Sequence, residues 1–130
     1  METQFRRDLL AWLAADAALA AGLNAIAEEA PTTAPPPWLG LAASASADWS
    51  AKGASGREVR IALELTCRDD DSEAIAVLAD ALERRVATLP ADGGSYRVVV
   101  TQFLRSRAER RAGNIRAVLT EYRFLLLATN

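Results

Sequence analysis

Apolar residues recur along the chain in two rhythms, one near 3.6 residues and one of two, and their order sets out the elements. From Gln4 to about Ala21, Phe5, Leu9, Trp12, Leu13, Ala17 and Ala20 return at helical spacing among the charges Arg6, Arg7, Asp8 and Asp16. This spacing predicts one helix, with Thr3 as its N-cap and Gly22 as its stop. Leu23 to Ala30 reads as a short strand. Pro31, Pro35, Pro36 and Pro37 then impose an extended crossing, because proline fixes its own φ and turns the residue before it away from helix. Trp38 to Ser46, small and apolar, is placed as a second strand. The polar, glycine-bearing stretch Asp48 to Arg57 follows as a loop, long for a tight hairpin.

The clearest alternation comes next. Val59, Ile61, Leu63, Leu65 and Cys67 interleave with Glu58, Arg60, Ala62, Glu64 and Thr66, the period of a strand with one buried face. Asp69, Asp70, Asp71 and Ser72 cluster where a helix begins, and their charge suits the positive end of its dipole. Ile75, Leu78, Ala79, Leu82, Val86 and Leu89 continue at helical spacing, with Arg84 and Arg85 off that face; Pro90 to Gly94 ends the helix. Tyr96 to about Arg107 and Ile115 to Ala128 are strand-like, and Ala112-Gly113-Asn114 marks the turn of an antiparallel hairpin between them. The order helix, strand, strand, strand, helix, strand, strand is an α+β layout: a mostly antiparallel sheet with two helices packed on one face.

Composition narrows the picture. With 130 residues the chain fits one domain, 1–130, whose core holds roughly two thirds of the surface of the unfolded chain. The net charge of -2 argues against a general affinity for nucleic acid, which needs concentrated positive surface. The basic residues are fourteen Arg and one Lys, Lys52. A lone cysteine, Cys67, cannot form an internal disulfide and fits a reducing compartment such as bacterial cytoplasm. The amphipathic N-terminus lacks the h-region of a signal peptide, and no run reaches the ~20 apolar residues of a membrane span. A soluble, unexported protein is expected.

Candidate chemistry is thin. Without histidine the chain lacks the commonest general base and transition-metal ligand. Cys67 is in phase with the strand's buried face and reads as a small core hydrophobe rather than a nucleophile. Asp69 to Glu73 offers oxygens to a hard cation but lacks calcium-loop spacing, so helix capping is the stronger reading. The glycines form no phosphate-binding motif. Neither cofactor nor metal is expected, and no enzyme. Two segments exceed what a folded monomer needs. Trp49 sits on the Asp48–Arg57 loop with Lys52 and Arg57, either as a contact residue or folded back on the core. Arg105, Arg107, Arg110, Arg111 and Arg116 crowd the last hairpin with only Glu109 among them, a basic arm suited to an acidic patch on a neighbour or to phosphates, or else a solvated hairpin.

In its element order, its Pro-rich crossing, Asp48-Trp49-Ser50-Ala51-Lys52, Gly56-Arg57-Glu58 and Tyr122-Arg123-Phe124-Leu125-Leu126, nearly the whole chain resembles the small tail-terminator, or tail-completion, proteins of long-tailed phages and gene transfer agents. Ala51 departs mildly from the Trp-Ser-Thr-Lys-like run of that family. The resemblance implies a structural subunit with no active site. It implies a ring, expected to be hexameric, that caps the tail tube, stops its polymerisation and joins it to the head connector while DNA passes through without sequence-specific binding. A ring uses a heterologous interface. The expected contact residues are Trp49, Lys52, Arg57, Arg105, Arg107, Arg110, Arg111 and Arg116, with sheets pairing edge to edge and covering outer-face residues such as Leu119 and Leu125. Alternatives are another neck protein, a connector or stopper, or a small α+β binding module.

Overall fold

The computed structural model describes residues 1–29 and 33–129. Along them run helices α1 (Glu2–Ala14) and α2 (Ala17–Gly22), strands β1 (Ala25–Ala27), β2 (Trp38–Asp48) and β3 (Gly56–Arg68), helix α3 (Ser72–Ala87), and strands β4 (Tyr96–Arg111) and β5 (Ile115–Ala128). The strands form one sheet in the order β1-β2-β3-β5-β4, parallel between β1 and β2 and antiparallel elsewhere. The α+β class, the mostly antiparallel sheet and its helical layer are as the periodicities predict.

Three local expectations need correction. The first helix is two: the Asp16 carboxylate accepts from the Leu19 N–H at 3.1 Å and caps α2, competing with the backbone bonds that would have carried α1 onward. Thr3 lies inside α1, whose N-cap is Met1. Gly22 does end α2, but a Cβ there would stand 2.6 Å from Leu78 Cδ2, so its bareness lets α2 approach α3. Within the expected Leu23–Ala30 strand, β1 occupies Ala25–Ala27; Ala30 and Pro31 lie outside the described residues.

The connection read as a long loop is also built differently. Ala51 and Ala54 exchange two backbone hydrogen bonds of 2.9 Å, so β2 and β3 continue into a tight turn with Lys52 and Gly53 at its tip. Gly53 takes φ 81°, which side chains disfavour. Ser50 ties the base, donating to Asp48 at 2.7 Å and accepting from the Gly56 N–H at 3.0 Å.

Register decides what the helices cover. Val59 pairs with Phe124, Ile61 with Tyr122, and Leu65 with both Val118 and Leu39, so these side chains share one face. On it pack Phe5, Leu9 and Leu13 of α1, Leu19 of α2, and Ile75, Leu78, Leu82 and Val86 of α3. Each such burial contributes about 1.5–3 kcal/mol relative to exposure. Phe5 meets Phe124 at 4.7 Å between ring centroids. Trp12 and Arg85 clasp α1 to α3: the indole N–H donates to the Arg85 carbonyl and Arg85 Nε donates to the Trp12 carbonyl, both at 2.8 Å, and the guanidinium lies 3.3 Å from the ring centroid. α3 is capped by Asp71, which accepts from the Ala74 N–H at 3.1 Å.

The outer face also departs from expectation. Leu119 and Leu125 are already 7% and 6% exposed within the subunit. Leu119 lies between Glu64 and Arg107, and Leu125 between Glu58 and Val100, so neighbouring side chains, long charged stems among them, cover them without a second helical layer.

Candidate functional site

The arginine hairpin is neither free nor projecting. β3 accompanies β5 as far as Ile115, opposite Arg68, and the Asp69 N–H donates to the Asn114 carbonyl at 2.9 Å, which latches the turn to the β3–α3 junction. Gly113 and Asn114 supply the positive φ values, 80° and 60°, that the turn requires. Most of the acids missing around the turn in sequence arrive from β3, from the residue that follows it and from further along β5. Asp69 accepts from Arg116 Nε at 2.7 Å and pairs with Arg110 at 3.3 Å. Arg111 reaches Glu64 at 2.8 Å and Glu109 at 2.7 Å; Arg107 reaches Glu109 at 3.4 Å; Arg105 bonds Glu121. Bonds from Arg111 and Arg105 hold the carboxyls of Glu109 and Glu121 below the usual range, and the Glu64 bond raises Arg111 further. Within the subunit the arginines of the hairpin thus have carboxylate partners, and the hairpin lies along the sheet rather than projecting as a basic arm.

Trp49, Lys52 and Arg57 gather at the opposite end of the sheet. Trp49 is 37% exposed, and its backbone N–H donates to the Gly56 carbonyl at 3.0 Å. The Trp49 carbonyl would stand 2.7 Å from a Cβ on Gly56, so the turn closes only over a glycine. Arg57 lies on the helical face, 4.0 Å from Glu2 at the start of α1. A thirteen-residue strand separates this group from the turn of the other hairpin, about 40 Å at ~3.3 Å per residue. The fold thus divides the expected contact residues between two ends. Cys67 is buried, and its thiol is pushed up to about 11 by desolvation with Asp71 adding to it, so it sits in the core as its phase predicts.

Edge-to-edge pairing was expected from the sequence, but which strands form the edges was not. β1 pairs with β2 only over Trp38–Gly40, which leaves the outer edge of Leu41–Asp48 without a strand among the described residues; β4 bounds the other side. Exposed Val99, Phe103 and Leu104 concentrate on β4, where the register shifts between Val98 and Val100 and again between Phe103 and Arg105. The adjacent apolar pair Phe103-Leu104, out of step with strand alternation, was the available signal. On the helical side of this edge lies a cleft of about 230 Å³ lined by Glu83, Ala87, Thr101, Phe103 and Tyr122. Tyr122 is 3% exposed, and its hydroxyl is the buried side-chain atom left without a hydrogen-bond partner among the described residues. A larger cleft of about 410 Å³ lies between α1 and the segment before β4, but there the Tyr96 hydroxyl already donates to Asp8 at 2.5 Å.

A chain in the solved virion of a native gene transfer agent particle has the same fold: it is 21% identical, the match covers 92% of both chains, and the TM-score is 0.72. No curated protein matches the chain by sequence. The profile of the family Tail completion protein gp17 matches residues 7–126. The chain belongs to the tail completion protein gp17 family, which makes it a structural virion component and not an enzyme.

Proposed function

We propose that the whole chain, 1–130, acts as one subunit of a hexameric ring that caps the tail tube, ends its polymerisation and joins it to the head connector. One observation carries this reading beyond family membership: a single sheet has two open edges of different character, β4 with large apolar side chains and, beyond the short β1, the Leu41–Asp48 part of β2 with small ones. Two unlike patches on one subunit are what a head-to-tail, closing interface uses. Lateral contacts then belong to the edges. The two ends of the sheet, with Trp49 and Lys52 at one and Arg107, Arg110, Arg111 and Arg116 at the other, become the axial surfaces for tube and connector. The ring assembles in bacterial cytoplasm, and DNA passes through its centre without sequence recognition.

Particles made without this chain provide the test. Electron microscopy is expected to show tails of uncontrolled length together with heads lacking tails. Tails of normal length with unfilled necks would instead make the chain a connector or stopper, and intact particles would reject both roles.

A further inference from the structure

We infer that neighbouring subunits join by pairing β4 of one copy with β2 of the next, and that the cleft at Glu83, Phe103 and Tyr122 receives Arg6 of that next copy. The inference rests on the ring reading and adds how the ring is held together.

Three antiparallel pairings separate β2 from β4, so the two edge strands run in opposite directions. A second copy in the same orientation therefore continues the sheet with an antiparallel pair. The open edges are also level. Ser44 stands opposite Ile61, Ile61 opposite Tyr122, and Tyr122 opposite Phe103; one end of the open stretch, Asp48, traces through Arg57 and Leu126 to Val98, and the other, Leu41, through Leu63 and Thr120 to Ser106. The residues Leu41–Ala47 thus face Val100–Ser106 of a neighbour without a shift along the strands, the open edge of β4 beginning beyond Val98, whose N–H is taken by the Ala91 carbonyl at 2.7 Å. Ala43, Ser44, Ala45, Ser46 and Ala47 are small and exposed, and leave room for Phe103, which is 47% exposed. Unpaired backbone groups on both edges gain partners.

The same row identifies the cleft's occupant. Arg6 of α1 lies over Ser44, Nη1 to Oγ at 3.5 Å, on the helical face of the sheet. Phe103, Tyr122 and Glu83 are on that face at the other edge. Continuing the sheet brings the neighbour's Arg6 to the mouth of the cleft. There the guanidinium meets the Glu83 carboxylate, which has no ion pair among the described residues, and the exposed Phe103 ring. Arg6 keeps Glu28, now 3.1 Å away, as its second carboxylate.

The test uses the full chain under conditions where rings form, at high concentration or on tube ends. Mixing the single variants Phe103→Cys and Ser44→Cys and oxidising should give a covalent dimer that neither variant gives alone; buried Cys67 is an internal control. Glu83→Arg or Arg6→Glu should each lower ring yield about tenfold or more, and the two together should restore it. Circular dichroism melts confirm that each variant folds. Rings without the 103–44 crosslink, or rings indifferent to both charge reversals, overturn the contact while the ring reading stands. A wild-type chain that never forms rings overturns both.

Discussion

Tyr122 shows how a polar group can be stranded by the packing of an otherwise apolar face. Its hydroxyl is buried without a partner, an arrangement that costs about 1–3 kcal/mol. Tyr122→Phe should therefore stabilise the isolated subunit by about 1 kcal/mol, read from urea unfolding. A loss of subunit stability would mean that the hydroxyl is satisfied within the monomer. Residue identity alone concealed this. In sequence Tyr122 is one more residue on the apolar face of the last strand, and only its position beside α3 deprives the hydroxyl of water. Trp12 and Arg85 were concealed in the same way: Trp12 reads as a core position and Arg85 as solvent-facing, and their double backbone clasp depends on two helices whose partners are 73 residues apart.

At the scale of elements, the outer-face ladder responds to acid. Bonds from Arg123, Arg111 and Arg105 hold Glu58, Glu109 and Glu121, respectively, below the ordinary carboxylate range. Their folded values lie below the unfolded value of about 4.3, so their stabilisation is complete above that pH and is lost as pH falls through the folded values. Acidification from pH 5 to pH 3 should loosen the β4–β5 ladder before the helix-covered core, seen as early loss of NMR amide protection at 105–111 and 117–123. Simultaneous loss across the sheet would contradict this. The strands themselves were legible because alternation is a local property. The ladder was not, since Glu64 and Asp69 reach the arginines only through the position of β3 beside β5, and Glu121 faces Arg105 only after the register shifts of β4, none of which the hairpin's sequence marks.

For the whole molecule, one apolar cluster takes residues from all three helices and from the four longer strands. No part of the chain has a core of its own. The subunit should therefore unfold in one cooperative thermal transition, with calorimetric and van't Hoff enthalpies in agreement. Under ring-forming conditions the midpoint should rise with protein concentration, because assembly draws on the folded form alone. Two resolved transitions in the dilute protein would mean that the chain is not a single unit.

The sequence by itself determined the alternation of β3, the buried faces of α1 and α3, and the acidic start of α3 within Asp69–Ser72. These depend on side-chain type and on neighbours within one or two turns. The helix break at Asp16, the tight Lys52–Gly53 turn, the paired arginines, the cover over Leu119 and Leu125 and the level, opposed edges of β2 and β4 were decided by tertiary structure. Each depends on which strand lies beside which and in what register, or on a side-chain bond that outcompetes a local preference, and long-range pairing leaves no periodic mark in the chain.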